Sequence, residues 1–274
     1  MAKLMGVVNV TPDSFSDGGL FLDAERAVAR GRQLAAEGAE ILDVGGESTR
    51  PGAEAVSAEE ELARVAPVVE GLAAGEVPVS IDTSKRAVAE AALDAGAAIV
   101  NDVTALRAEP EVAGLCAERG CEVVLMHMLG DPRTMQEDPT YDDVVDDVSA
   151  FLAERIEFAT AEGIEEERIW VDPGIGFGKT VEHNLELLRR LGELAELGRP
   201  IVVGTSRKSF IGKLTGAPVD RRLGGTIASS VLAFAGGAEV LRVHDVGPVR
   251  EALAVAEAIL DPDRATAIAD RPVA

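Results

Sequence analysis

The sequence VPVSIDTSKRAVAEAALDAGAAIVND, residues 77–102, decides the fold class. It contains two short apolar runs, VPVSIDT and AIVND, separated by an alanine-rich stretch with helical spacing. Near-continuous apolar runs of this kind are typical of parallel strands that are covered on both faces. Gly96 stands where a helix C-cap is expected. Residues 77–102 therefore predict a strand, a helix and a second, parallel strand.

The same alternation continues along the whole chain. Six further strand-like runs lie elsewhere in the chain, two before residues 77–102 and four after them: GVVNVT (6–11), ILDVGG (41–46), EVVLMHM (122–128), IWVDPG (169–174), PIVVGTS (200–206) and EVLRVHD (239–245). This alternation predicts an α/β fold, a single-domain (β/α)8 TIM barrel over residues 1–260, followed by a C-terminal tail at 261–274. An open, doubly wound sheet is the alternative, but the chain lacks the Gly-x-Gly-x-x-Gly fingerprint of dinucleotide folds. Ser57 and Glu60 predict a capping box at the start of the second helix.

The composition argues against several classes of function. The 274 residues include 48 acidic and 26 basic ones, which gives a formal net charge of −22. This balance disfavours a general basic surface, so we expect neither nucleic acid nor a membrane as a partner. No apolar run approaches the roughly 18–20 residues of a membrane span. Cys116 and Cys121 have no zinc-binding companions, and so few cysteines favour the cytoplasm.

The excess of acidic residues and the small number of lysines have two candidate explanations. An acidic, lysine-poor surface suits a salt-rich cytoplasm, where screening weakens the repulsion between carboxylates. A GC-rich genome, which favours Ala, Arg and Gly, is the alternative explanation. A halophilic surface is therefore a hypothesis at this point.

In a TIM barrel, functional side chains gather at the carboxyl ends of the strands. The polar residues at the ends of the predicted strands are Asn9, Asp43, Glu47, Asp82, Asn101, Asp102, His127, Asp172, Ser206, Arg242, His244 and Asp245. Carboxylates and amides suit a flat heterocycle that presents N–H donors, and arginine and histidine suit a phosphate group. The set therefore predicts a nucleotide-like or pterin-like ligand that carries phosphate.

Several of these residues also have a purely structural interpretation. Asp43 is equally consistent with a core carboxylate that holds the loop backbone. Asp82 is also consistent with a cap for the helix that follows it. We interpret His127, which two methionines flank, as a barrel residue rather than a catalyst, and His183 as a surface residue that opens a helix.

The run GIGFGKT, residues 174–180, resembles a phosphate-binding loop but does not fit that motif. The motif needs a glycine where Pro173 stands. We interpret the run as a flexible loop that carries Phe177 and Lys179. Together with the long loops after strands 1, 2 and 7, it is a candidate lid over the barrel mouth.

Seven motifs along the chain match a known family. They are NVTPDSFSDGG (9–19), DVGGESTRPGA (43–53), IDTSK (81–85), IVND (99–102), DPGIGFGKT (172–180), SRKSFIG (206–212) and RVHDV (242–246). In this order and spacing they resemble the dihydropteroate synthase family of pterin-binding TIM barrels. The match covers nearly the whole barrel, and GIGFG in place of the commoner GFGFG is a conservative difference.

The resemblance implies a homodimeric enzyme of folate biosynthesis that uses Mg2+. Members of the family join 6-hydroxymethyl-7,8-dihydropterin pyrophosphate to p-aminobenzoate, which gives 7,8-dihydropteroate and pyrophosphate. The implied catalytic residues are Asp82, Lys208, Arg242 and His244, and the implied metal ligand is Asn9. Pterin binding is implied for Asp82, Asn101, Asp172 and Lys208. Pyrophosphate binding is implied for Asn9, Thr49, Arg50, Arg242 and His244. The implied p-aminobenzoate pocket consists of Phe15, Thr49, Pro51, Phe177, Lys208 and Ser209.

Three other interpretations stay open at this point. A pterin-binding methyltransferase shares the barrel and the pterin site but does not need the cations of SRKS and RVH. A non-catalytic paralogue would have lost residues of loop 1, STRPG or SRKS, and none is missing. The chain is also compatible with one domain of a longer folate-pathway fusion. Within SRKS, the sequence does not decide whether the Arg207 side chain points to solvent or to a phosphate group.

Overall fold

The computed structural model of the chain describes residues 2–11, 19–48, 53, 55–131 and 133–261. Four predicted site residues lie outside the described residues: Phe15, Thr49, Arg50 and Pro51. Residues 262–274 of the predicted tail lie outside them as well, so the tail stays a prediction.

Parallel strands form the centre of the fold. The eight strands among the described residues are β1 (Lys3–Asn9), β2 (Ile41–Gly45), β3 (Val79–Asp82), β4 (Ile99–Asp102), β5 (Glu122–Met126), β6 (Ile169–Asp172), β7 (Val202–Val203) and β8 (Val240–Val243). Each lies within, or largely within, one of the predicted runs. They form one sheet in the order β6-β5-β4-β3-β2-β1-β8-β7.

The two edges of this sheet meet and close the barrel. Val171 of β6 forms a parallel bridge with Ile201, next to β7. The Val171 N–H also donates to the carbonyl of Pro200 at 2.9 Å. Closure confirms the predicted TIM barrel and rules out the open, doubly wound alternative.

Helices connect the strands and cover the barrel. Their bounds are α1 (Gly19–Glu37), α2 (Ala58–Ala73), α3 (Arg86–Asp94), α4 (Glu111–Arg119), α5 (Val144–Ala161), α6 (Val181–Arg189), α7 (Ser209–Thr215), α8 (Leu223–Ala235) and α9 (Val246–Leu260). Both α7 and α8 lie between β7 and β8. Within the described ranges, none of the helices combines the length and the apolar character needed to cross a membrane.

The helix ends follow local sequence rules. The Ser57 hydroxyl accepts the N–H of Glu60 at 3.1 Å and so caps α2, as predicted. A capping box also needs a bond from the Ser57 N–H to the Glu60 carboxylate. This part of the prediction is wrong, because the Glu60 carboxylate binds Arg64 instead. Gly38 and Gly96 both have φ of +102°, a left-handed conformation that terminates α1 and α3 without steric cost.

A plug of apolar side chains fills the amino-terminal part of the barrel. Seven strands contribute to it: Met5, Ile41, Ile99, Val124, Trp170, Val202 and Val240. A separate and larger apolar layer packs the helices onto the outside of the strands. Because the plug closes the barrel from below, a ligand has access only from the carboxyl ends of the strands.

Candidate active site

Strand geometry places the polar residues directly above the plug. Side chains two residues apart on a strand point to the same face. Asp43, Asn101, Asp172 and Arg242 each follow a plug residue by two positions, on β2, β4, β6 and β8. The predicted convergence of these four side chains at the mouth is therefore a consequence of the strand register.

Arg242 is the centre of the site. Its Nε donates to Oδ2 of Asp43 at 2.6 Å, and its Nη2 donates to Oδ2 of Asp82 at 2.6 Å. Asn101 completes the group, since its Nδ2 donates to Oδ2 of Asp43 at 3.2 Å. Asp82 therefore binds Arg242 rather than acting as a cap for α3, whose cap position is occupied by Lys85 without a side-chain cap bond.

Asp43 is a site residue that sequence reasoning left undecided. Its side chain is fully buried, and its partners are the side chains of Arg242 and Asn101, not the loop backbone. The signal that identifies it is its position two residues after Ile41, the plug residue of the same strand. Asp43 therefore orients two residues that the sequence did predict.

The buried carboxylates give the base of the mouth its electrostatic character. Burial raises the pKa of Asp82 to about 7, with Asp43 adding to the rise and Arg242 opposing it. Burial also raises the pKa of Asp172, against the effects of the Gly174 N–H and of Lys208. Carboxylates that are costly to ionise without a partner favour a ligand that brings N–H donors or positive charge.

The loop after β6, residues 173–180, is fixed to the barrel rather than free to act as a lid. The Gly174 N–H donates to Oδ1 of Asp172 at 2.7 Å, and Gly174 has φ of +69°. A Cβ at this position would overlap the carbonyl oxygen of His127. Glycine is therefore required here for a close approach between the loop and the end of β5.

Further bonds hold the rest of this loop. The Gly176 N–H donates to Oδ1 of Asn184 at 2.6 Å, and the Tyr141 hydroxyl donates to the Gly178 carbonyl at 2.7 Å. These bonds hold residues 174–180 against the barrel and so argue against the predicted flexible loop. The glycines serve close packing, and single-sequence reasoning cannot distinguish close packing from mobility.

Lys208 and Phe177 form a stacked pair at the mouth. Lys208 stands at the N-cap of α7, and its Nζ lies 4.0 Å from the centroid of the Phe177 ring. The Phe177 ring is buried in what we call the methionine cluster: Val103, Met126, Met128, Met135 and Phe177. Ser209, the first residue of α7, is exposed beside this pair.

The side chain of Arg207 points to Asp245, whereas that of Lys208 points to Phe177. Its backbone has φ of +58°, and its guanidinium binds Asp245 with two bonds, at 3.0 and 2.7 Å. The Arg207 N–H donates to the Thr226 hydroxyl at 3.0 Å. Arg207 therefore ties the segment after β7 to Asp245, the N-cap residue of α9.

His244 is held as a neutral imidazole. Its Nδ1 lies 3.0 Å from the Ser206 hydroxyl. Burial, Arg242 and Arg207 lower its pKa to about 3.

Asn9 is the last residue of β1 and pairs with Gly45 of β2. It is half-buried at the same mouth.

A cleft of about 490 Å³ opens beside the methionine cluster. It lies between the described part of the loop that follows β2, which we call loop 2, and the residues after β3, β4 and β5. Val103 and Met128 of the methionine cluster line it. Lys85 lines it and forms ion pairs with Glu47 and with the buried Glu61. Glu47 also accepts the Val56 N–H at 3.1 Å, which anchors the far end of loop 2.

Comparison with known proteins agrees with this geometry. Residues 5–244 match the family model described as pterin binding enzyme. The dihydropteroate synthase of Escherichia coli (strain K12) is 49% identical over 258 residues, which cover 94% of this chain and 91% of the relative.

Two solved structures of Xanthomonas albilineans dihydropteroate synthase each cover 94% of the chain. The structure with 4-aminobenzoic acid has a TM-score of 0.89 at 50% identity and is covered over 93% of its length. The complex with 7,8-dihydropteroate has a TM-score of 0.86 at 48% identity and is covered over 94%. The chain therefore belongs to the family of pterin-binding enzymes and, within it, to the dihydropteroate synthases.

Proposed function

We propose that this chain joins 6-hydroxymethyl-7,8-dihydropterin pyrophosphate to p-aminobenzoate and releases 7,8-dihydropteroate and pyrophosphate. The observation that carries the proposal is the combination of two features at one mouth. Buried carboxylates cluster around Arg242 at the base, and the stacked pair of Lys208 and Phe177 lies at the rim. The first feature suits a pterin with a phosphate group, and the second suits an aromatic anion.

The base of the mouth supports binding of the pterin ring. Asp82, Asn101 and Asp172 bring carboxylate and amide oxygens from β3, β4 and β6. A carboxylate can accept two parallel N–H bonds from a guanidine-like edge, and the pterin ring has such an edge. We assign this edge to Asp172, whose orientation is fixed by the Gly174 N–H.

The reaction is an alkyl transfer. The amine nitrogen of p-aminobenzoate bonds to the methylene carbon of the pterin, the bond from that carbon to the pyrophosphate oxygen breaks, and the amine loses a proton. The amine is a weak nucleophile, so positive charge builds up on the pterin as the C–O bond breaks. Asp82 and Asp172 stabilise that charge, because carboxylates act strongly in a buried site.

Arg242 and His244 support departure of the pyrophosphate. The two bonds to Asp43 and Asp82 use two of the five N–H donors of the Arg242 guanidinium. His244 is neutral when no anion is near, but an adjacent polyanion favours the protonated imidazole. Binding of the pyrophosphate group therefore raises the pKa of His244 and lets it stabilise the departing charge. Thr49 and Arg50, outside the described residues, remain predicted partners of this group.

A magnesium ion fits the donors at this mouth. No group of three or more His, Cys, Asp or Glu side chains suited to a metal occurs among the described residues. Mg2+ is commonly held by few protein oxygens together with water and substrate phosphates. The amide oxygen of Asn9 would supply one protein ligand, and Mg2+, when bound, would neutralise charge on the pyrophosphate.

The rim supports binding of p-aminobenzoate. The Phe177 ring offers an aromatic wall, and Lys208 and Ser209 offer donors for the carboxylate and the ring face. Phe15, Thr49 and Pro51 complete the predicted pocket and lie outside the described residues. The methyltransferase alternative loses support, because that reaction does not need Arg242 and His244 for a pyrophosphate group.

A product assay tests the proposal. The purified chain with both substrates and Mg2+ should form a compound with the mass of 7,8-dihydropteroate. Complete absence of this product, from a chain that melts cooperatively, would favour the non-catalytic paralogue.

We also propose a homodimer that forms through the surface of α7, α8 and α9. Seven large exposed apolar side chains lie on these helices or, for Val219, between α7 and α8: Leu214, Val219, Leu223, Leu232, Val255, Ile259 and Leu260. An apolar patch of this kind favours an interface with a second protein surface. Sedimentation should give a dimer that Leu232→Glu with Ile259→Glu converts to a monomer, whereas a wild-type monomer would refute the proposal.

The acidic surface supports a proposal about salt. With a net charge of −22, repulsion between carboxylates destabilises the folded chain at low ionic strength. We propose a salt-rich cytoplasm as its setting and expect a higher melting temperature in molar KCl than in dilute buffer. Equal or greater stability in dilute buffer would contradict this.

The pKa of Asp82 leads to a pH prediction. Asp82 must be ionised to stabilise the pterin cation, and its pKa is raised to about 7. We therefore expect kcat/KM for the pterin substrate to fall as pH decreases through about 7, since the carboxylate then becomes protonated. The pyrophosphate ester also titrates near this range, so binding of a pterin without phosphate is measured as the control. If that binding does not change between about pH 5.5 and 8.5, the assignment of Asp82 is wrong.

A further inference from the structure

Lys179 is a buried cation that the chemistry above does not use. Its exposed fraction is 3%, whereas the other four lysines, all within the described residues, are half-buried or exposed: Lys3, Lys85, Lys208 and Lys213. Its Nζ lies 2.8 Å from Nδ1 of His127 and 3.0 Å from the carbonyl oxygen of Phe177. In its charged form Lys179 has no lone pair, so it donates to both atoms, and His127 then carries its proton on Nε2.

Both of these acceptors are uncharged, which makes the burial of Lys179 expensive. Burial lowers the pKa of Lys179 to about 7, Lys208 adds to this effect and Asp172 opposes it. A methionine of similar length would fill the same space without a charge to desolvate. The lysine at this position is therefore better explained by the link that it forms between His127 and the Phe177 carbonyl than by a contribution to the stability of the fold.

One end of the link, His127, is itself firmly placed. Its backbone N–H donates to the carbonyl of Asp172 at 2.9 Å, directly after β5. Its imidazole packs edge-on against Phe151, with 4.9 Å between the ring centroids. Burial and the neighbouring cations Lys179 and Arg107 lower its pKa to about 2, so it stays a neutral acceptor at physiological pH.

The other end of the link is the loop that carries Phe177. The ring of Phe177 is 7% exposed within the methionine cluster and lies under the ammonium of Lys208. The carbonyl of the same residue accepts the bond from Lys179. The Lys179 side chain therefore connects the end of β5 to the residue whose ring forms the wall of the rim.

We propose that Lys179 is a positioning residue for p-aminobenzoate: it links the loop to β5 and holds the Phe177 ring beneath Lys208. The inference rests on the proposed function, in which Phe177 and Lys208 line the p-aminobenzoate pocket. It concerns one substrate only. The pterin side of the mouth has its own hydrogen bonds, because Asp172 is held by Gly174 and Asp82 by Arg242. Lys179 acts on Asp172 through its charge, which lowers the pKa of that carboxylate less than the Gly174 N–H does.

Steady-state kinetics of Lys179→Met tests the proposal. We expect the KM for p-aminobenzoate to rise about tenfold or more, with the KM for the pterin substrate within about twofold of wild type. Lys213→Met is the matched control, because Lys213 is an exposed lysine of α7 in the same chain. It should leave both KM values unchanged. An equal rise in both KM values, or no rise in either, would overturn the positioning role.

A double-mutant cycle shows whether Lys179 acts through Phe177. Phe177→Ala alone should raise the KM for p-aminobenzoate, and adding Lys179→Met should raise it little further. Multiplicative effects of the two changes would mean that Lys179 acts by another route and would overturn the proposal.

Two controls keep the test decisive. If Lys179→Met does not fold, Lys179→Gln replaces it, since glutamine keeps one donor and removes the charge. The KM for p-aminobenzoate should then rise about threefold or more, and wild-type values would overturn the proposal. A wild-type chain without synthase activity would instead refute the proposed function itself, and the inference with it.

Discussion

Lys208→Ala is expected to lower kcat/KM by about a thousandfold or more while the melting temperature changes little. Lys208 stands at the N-cap of a seven-residue helix without a side-chain cap bond, so its loss leaves α7 nearly unaffected. Its ammonium lies over Phe177 and acts electrostatically on Asp172, which places it between the two proposed substrate sites. Removing it takes away the cation that both substrates would contact.

The control for this variant is Lys213→Ala, five residues further along the chain and exposed on α7. Steady-state rates of both variants, with far-UV circular dichroism to check the fold, complete the comparison. A Lys208→Ala enzyme within about tenfold of wild type would show that Lys208 is not part of the reacting centre.

Arg242→Met is expected to lower the free energy of unfolding by about 3–5 kcal/mol at neutral pH and to abolish turnover. The change leaves the fully buried Asp43 and the nearly buried Asp82 without their shared cation. In the wild type, Arg242 opposes the rise in the pKa of Asp82, so the pKa rises further in the variant. At about pH 7 the folded variant then binds more protons than the folded wild type, so its deficit in the free energy of unfolding relative to wild type should shrink as pH falls toward about 5.

Urea denaturation at two pH values measures this effect. Arg250→Met, an exposed arginine of α9, is the control and should change the free energy of unfolding by about 0.5 kcal/mol or less. If Arg242→Met costs less than about 1 kcal/mol at pH 7, the cluster of Arg242 with two carboxylates is not the structural centre of the mouth.

The barrel was predictable because strand patterns are local. Each of the eight apolar runs overlaps a strand, and the polar residues at their ends converge because side chains alternate with a period of two. Residues such as Asn101, Asp172 and Arg242 therefore reach the mouth by register alone. Their individual roles in binding and catalysis were implied by the family resemblance and await the experiments proposed above.

Other features depended on contacts that no local pattern contains. Arg207 pairs with Asp245, 38 residues away, and its left-handed backbone gives no signal in an arginine. Lys179 and His127 are 52 residues apart, so their bond could not be foreseen. His244 was assigned to the pyrophosphate by the family resemblance, but burial beside Arg242 lowers its pKa and keeps the imidazole neutral, which the sequence does not indicate.

In the proposed reaction, the pterin methylene group is transferred from the pyrophosphate oxygen to the amine nitrogen of p-aminobenzoate. The most direct test is the release of pyrophosphate from the pterin substrate, measured with p-aminobenzoate present and with it omitted. We expect release only when both substrates are present, in a one-to-one ratio with the 7,8-dihydropteroate that forms. Release from the pterin substrate alone would identify a hydrolase and would contradict the proposed synthase reaction.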